Sequence, residues 1–169
     1  MFTLIRHPVD RAVSFYYYQM QSVENKDEYT NRKTNGPPSM SLERWARSNQ
    51  FKDNWMTRHL TNQIEGELMP VHLEAAKEIL RRLFIIGLIE SKDESMRRFL
   101  LHFRVQLKNE KAISCADRLL HWGWRNKIVH DTVVEGSHLY ELLAATNIYD
   151  MELYHFSQRL FLHQGNLFA

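Results

Sequence analysis

The chain has 169 residues, 44% hydrophobic and 25% charged, the size and composition of one globular domain with a real core. Its 22 Lys+Arg stand against 20 Asp+Glu, a formal net charge of +2, and that balance does not demand nucleic acid as a partner. A single cysteine, Cys115, excludes an internal disulfide and a Cys-x-x-Cys site; a mean hydropathy of −0.47, with no apolar run near the roughly 18 residues that span a bilayer, excludes a transmembrane helix within these residues.

Phe2–Ile5 reads as a short buried strand, rich in β-formers and too short for a helix. Pro8 and Asp10 then favour a helix start, one by its fixed φ and the other by its charge near the positive dipole end. Val13, Tyr17 and Met20 continue that helix to about Val23. Residues 24–40 are polar and broken by Gly36-Pro37-Pro38, a surface-loop pattern. Ser41 is placed to cap a short helix carrying Leu42, Trp45 and Ala46, and the stretch Asn54 to Leu60 fits a helical turn. Pro70 opens a helix with Leu73, Ala76, Lys77, Leu80 and Leu83 along one face.

The continuous apolar run Phe84–Ile89 is that of a strand buried on both faces of a parallel sheet. Ser91 and Glu94 have the spacing of a capping box for the next helix, with Met96, Phe99, Leu100 and Phe103 facing the core. Residues 108–134 read as irregular, and helices at 135–146 and 148–163 follow, Asn147 capping the second with help from Asp150. Two strands each feeding a helix argue for an α/β layered fold, helix-rich, with a short parallel sheet. Two strands cannot bury both faces alone, so this reading expects further strands before residue 1 and treats residues 1–169 as a single, partial domain.

The stretch from Arg6 to Ser14 carries the most chemistry. Arg6 leaves the carboxyl end of the first strand, where open α/β sheets bind ligands, and the following helix aims free N–H groups at the same place. A helix beginning near Asp10 puts Ser14 only about 6 Å along its axis. Arg6 offers a charged donor fork and Ser14 a hydroxyl, a chemically sensible clamp for one phosphate. On residue chemistry alone the pair also fits a surface arginine and a capping serine.

The same stretch resembles the 3′-phosphate-binding motif of sulfotransferases that use 3′-phosphoadenosine-5′-phosphosulfate (PAPS). That motif is a strand, an Arg, a nearby Pro, a second Arg and then a Ser eight residues after the first; here these are Arg6, Pro8, Arg11 and Ser14, followed by Tyr16-Tyr17-Tyr18. Three further segments follow in the family's order. Asn54 to Leu60 is similar to its Asn-x-x-Thr-Arg-x-Leu element, Ile86 to Glu90 to its Val-Gly-Leu-Thr-Glu strand, and Asn147 to Tyr154 to its Asn-x-x-Asp-x-x-Leu-Tyr. The subgroup it most resembles is the Golgi carbohydrate sulfotransferases, including the heparan sulfate 2-O-sulfotransferase-like group.

The resemblance implies a P-loop-NTPase-like sulfotransferase fold and PAPS as sulfuryl donor without a metal. It also implies a glycan acceptor and a lumenal domain at the Golgi membrane. Arg6 and Ser14 become the cofactor-binding residues; Arg11, Asn54, Thr57 and Arg58 are candidates for the cofactor or substrate groove. The family's loop for the 5′-phosphosulfate needs glycines with Lys and Ser or Thr, and no segment here supplies it. The catalytic residues stay unassigned, since the family's base lies upstream of this motif; His7 and His59 read as bystanders. Trp122–Lys127 fits a loop packed by its own tryptophans better than a cover for the cofactor, and Arg81-Arg82 and Arg97-Arg98 fit solvated helix faces. Nine histidines without helical i, i+3 or i, i+4 pairing give no metal site. The alternative from another class is a non-catalytic helical interaction module or a degenerate fragment.

Overall fold

The computed structural model describes residues 1–24, 40–121 and 132–168; the Gly36-Pro37-Pro38 break and the Trp122–Lys127 segment lie outside them. Two compact units share the chain. The first comprises Met1–Arg6, Thr57–Lys127 and Glu152–Ala169, the second His7–Met56 and Ile128–Met151.

The first unit is built on β1 (Phe2–Ile5) and β2 (Ile85–Leu88), paired in parallel from Phe2↔Ile85 to Ile5↔Leu88. The sheet expected from the two apolar runs is therefore present, with its strands side by side. Gly87 lets β1 approach closely: a Cβ there would stand 2.7 Å from Leu4 Cδ2, 2.8 Å from Phe2 Cζ and 3.1 Å from Ser95 Cβ. α4 (Pro70–Leu83) packs on β2 with Leu73, Ala76 and Leu80 buried, and Pro70 stands at its first turn as its φ requires. Leu83, expected on the same apolar face, is half-exposed.

The edge of β2 away from β1 is closed by side chains. Ile86 N–H donates to Gln164 Oε1 at 2.9 Å, and Gln164 Nε2 donates to Phe84 C=O at 2.8 Å. Ser95 Oγ accepts from Leu88 N–H at 2.8 Å and donates to Leu88 C=O at 3.0 Å. Ser95 lies on α5 (Lys92–His102) and Gln164 ends α8 (Ile148–Gln164), so two helices satisfy the backbone that a third strand would otherwise pair. On one face of the sheet, the Leu4 side chain is 56% exposed.

The expected Ser91–Glu94 capping box is not formed; a 3₁₀ turn, Ile89–Ser91, runs straight into α5, and the Ser91 side chain makes no cap bond. Glu94 instead holds two arginines, at 2.7 Å from Arg97 Nε and 2.7 Å from Arg98 Nε. Arg98 is no solvated residue: it is 5% exposed, donates to Phe161 C=O, and stacks 3.7 Å from the Phe161 ring centroid. The residues of α5 that are fully buried are Ser95 and Arg98, while Phe103 is 49% exposed rather than core. Residues 110–121, read as irregular, form α6 (Glu110–His121), begun by Asn109 Oδ1 accepting from Ala112 N–H at 2.8 Å.

The second unit is helical. α1 (Pro8–Glu24), α2 (Leu42–Ala46) and α7 (His138–Thr146) pack around Val9, Ala12, Val13, Tyr16, Trp45, Phe51 and Leu143. Trp45 is its centre, fully buried, 4.8 Å from Phe51 and 5.5 Å from Tyr16 between ring centroids. Ser41 caps α2 as expected, accepting from Arg44 N–H at 3.3 Å. α7 starts at His138 rather than near 135 because Gly136 turns with φ +79° and Ser137 supplies the cap.

Two outcomes follow from the first unit. Gln164→Ala strands the buried Ile86 N–H and Phe84 C=O, and a loss of about 2–4 kcal/mol is expected in urea unfolding. Gln164→Glu keeps an acceptor for Ile86 but sets a buried carboxylate oxygen against Phe84 C=O, and should lose at least as much. Hydrogen bonds from Arg97 and then Arg98 hold the Glu94 carboxyl at about 2, well below its ordinary value. Its folded pKa is thus depressed, so this stabilisation is complete above the unfolded pKa of about 4.3 and fades as pH falls toward about 2. Thermal unfolding across that interval should show a shallower acid loss for Glu94→Gln than for the parent.

Candidate functional site

In the first unit both strands run the same way, so their carboxyl ends share one edge of the sheet, with Ile5 opposite Leu88. Arg6 follows β1 there, and its side chain is half-buried. No hydrogen bond or ion pair involves the Arg6 side chain among the described residues. Glu90 follows β2, exposed, and accepts from the hydroxyl of buried Tyr154, to which Gln158 Nε2 donates at 3.2 Å. The same edge therefore presents a guanidinium from one strand and a fixed carboxylate from the next. In the sequence Glu90 and Tyr154 belong to separate motifs, and spacing alone gives no sign that they bond.

Ser14 belongs to the second unit. Pro8 opens α1, and the first helical bond runs from Arg11 N–H to His7 C=O at 2.9 Å. Val9, Ala12, Val13 and Tyr16 take the buried face of this helix. Arg11, Ser14 and Tyr18, at i, i+3 and i+7, share a different stripe, with Ser14 half-buried and Tyr18 exposed. The Arg11 guanidinium lies 5.4 Å from the Trp55 ring centroid, and its Nε and Nη2 are buried without a hydrogen-bond partner. Those two atoms form the edge that grips a carboxylate or phosphate bidentately. Burial lowers the Arg11 pKa from its ordinary value, and the Asp150 carboxylate works against that.

Asn54 and Asp150 exchange helix caps. Asn54 sits at φ 46°, in the left-handed region, and its Oδ1 accepts from Tyr149 N–H at 2.8 Å and Asp150 N–H at 3.1 Å, the first turn of α8. Asp150 Oδ2 accepts in turn from Met56 N–H at 2.8 Å, in the first turn of α3 (Trp55–Thr61). Asn147, expected to cap α8 with its side chain, instead donates to Leu143 C=O at 2.8 Å and accepts from Asn54 N–H at 2.9 Å. The cap of α8 comes from 95 and 96 residues upstream of the N–H groups it serves, which is why local spacing could not find it.

Thr57 and Arg58 lie in the first unit. Thr57 is fully buried and its C=O accepts from Thr61 Oγ1 at 2.8 Å. Arg58 is 9% exposed, and its Nη1 reaches Gln63 C=O at 3.1 Å and Gly66 C=O at 3.0 Å, holding the turn where Gly66 takes φ +81°. Among the candidate groove residues, the structure brings Arg11 and Asn54 into the surroundings of Trp55 and Asp150. His7 stacks on Tyr140 at 5.9 Å, and His59 lies exposed in the last turn of α3.

Asn54→Ala removes the acceptor of two N–H groups, and a cost of about 2–3 kcal/mol is expected. Asp150→Asn preserves an acceptor for Met56 and should cost about 1 kcal/mol. The double variant should fall short of the sum, since both changes disrupt one network. Urea midpoints at constant slope measure all three.

No helix among the described residues is long and apolar enough to cross a membrane, and no group of three metal-ligating side chains occurs among them. Searches of curated proteins and of solved structures returned no match. A family model described as the sulfotransferase family matches residues 1–157, which takes in the strand, Arg6, α1 with Ser14, the Asn54–Asp150 exchange and Glu90 with Tyr154. With nearly its whole length so matched, the chain belongs to the sulfotransferase family.

Proposed function

We propose that the protein transfers a sulfuryl group from PAPS to a carbohydrate hydroxyl and that this chain carries the part that binds the 3′-phosphate. The observation that carries the reading is the order at the first motif. Arg6 follows the carboxyl end of β1, and Ser14 stands in the second turn of the helix that begins two residues later. Arg6 supplies a fork with no other bond among the described residues, and Ser14 a half-buried hydroxyl. In sequence order, a fork and then a hydroxyl eight residues on suit the handle of a nucleotide rather than its reacting end.

The donor supplies an activated sulfuryl group; the acceptor oxygen bonds to sulfur as the bond from sulfur to the 5′-phosphate oxygen breaks, and the bisphosphate departs with that electron pair. Such transfer depends chiefly on positioning and on stabilising charge. The acceptor proton passes to a base that none of the residues placed above supplies. We assign that base, and the loop for the 5′-phosphosulfate, to parts of the protein other than the residues placed above.

Titration with adenosine 3′,5′-bisphosphate tests it. Arg6→Ala should weaken binding roughly 10- to 150-fold, from the loss of a charge-assisted contact of about 1.5–3 kcal/mol. Arg6→Lys should recover part, and Ser14→Ala should lose roughly 2- to 12-fold. Adenosine 5′-phosphate, which has no 3′-phosphate, should be indifferent to all three. Equal losses for both nucleotides would assign Arg6 and Ser14 to supporting the fold.

A further inference from the structure

The turn between α5 and α6 presents apolar and cationic side chains together. Leu101 is 51% exposed, Phe103 49% and Val105 43%. Between and after them stand His102, Arg104, Lys108 and Lys111, all exposed, and Glu110 is the single acid from Leu101 to Lys111. Phe103 is held in place by Phe99 and His102, each 4.8 Å away between ring centroids.

The backbone here forms a Schellman turn: Val105 N–H bonds Leu100 C=O at 2.9 Å and Arg104 N–H bonds Leu101 C=O at 3.2 Å. The left-handed residue of such a turn is usually glycine, yet here it is Arg104 at φ 54°. The chain thus carries a long cation at a strained position where glycine would be comfortable. It also leaves three large apolar side chains half in water within five residues.

We propose that Leu101–Lys111 is a contact for an anionic membrane surface. Leu101, Phe103 and Val105 enter the headgroup boundary, while Arg104, Lys108 and Lys111 meet the lipid charge. A polyanionic glycan satisfies the cations but offers no sink for Leu101 and Val105, so the mixture favours lipid. Apolar burial and electrostatic attraction add at such interfaces, each cation near the surface contributing roughly fivefold in partitioning. This contact is independent of the nucleotide site.

Flotation of the protein with phosphatidylcholine vesicles, and with mixed phosphatidylcholine–phosphatidylserine vesicles, is the test. Binding is expected to require phosphatidylserine and to weaken as salt shortens the Debye length. Phe103→Ser and Lys108→Ser should each lower it roughly fivefold. Arg104→Gly should lower binding to a similar extent while the melting temperature holds or rises, which separates loss of contact from loss of fold. No binding to either vesicle, or equal binding to both, would overturn the proposal. So would retention on a heparin matrix that Lys108→Ser abolishes and Phe103→Ser leaves intact, the behaviour of a glycan surface.

Discussion

The outer edge of β2 is the constraint on which the first unit rests. A strand this buried cannot leave its N–H and C=O groups bare, since each would cost on the order of 1–3 kcal/mol. Gln164 serves Ile86 and Phe84, and Ser95 serves Leu88 twice. These bonds fasten the end of α8 and the middle of α5 to the strand, and α5 is fastened again by Arg98 on Phe161. The sheet is finished on that side by helices.

The exchange of caps in the second unit explains why two weak sequence patterns travel together. Asn54 to Leu60 and Asn147 to Tyr154 each look unremarkable as spacing. In space, the first asparagine of one caps the helix of the other, and the aspartate of the second returns the bond to the helix of the first. The left-handed φ of Asn54 is what turns its side chain and its backbone N–H toward the same partner segment, and asparagine tolerates that conformation better than most residues.

What local chemistry decides was legible in the sequence. The β-rich runs at 2–5 and 84–89 gave strands, Pro70 gave a helix start and Ser41 a cap, each within a residue or so of its observed place. What distant partners decide was not. Ser91 and Glu94 have capping-box spacing, but Arg97 and Arg98 claim Glu94. Arg98 read as solvated because nothing nearby in sequence announces Phe161, whose ring and carbonyl receive it. α6 has Asn109 and Glu110 at its start, but the Trp122-Gly123-Trp124 run that follows gives the stretch a loop pattern in sequence.

The same contrast sorts the candidate site residues by what they have left to give. Asn54 and Arg58 spend their donors and acceptors inside the fold. A ligand that drew on them would leave buried helix ends or turn carbonyls unpaired, at a cost comparable to what the new contact returns. Arg6 carries no such internal duty among the described residues, and Arg11 has the bidentate edge of its guanidinium unfilled beside Trp55. Unspent donor capacity therefore lies with Arg6 and, separately, with Arg11, while Asn54 sets a helix start and Arg58 holds a turn. That division sets a short local stretch, Arg6 to Arg11, against a framework assembled from pairs of distant residues.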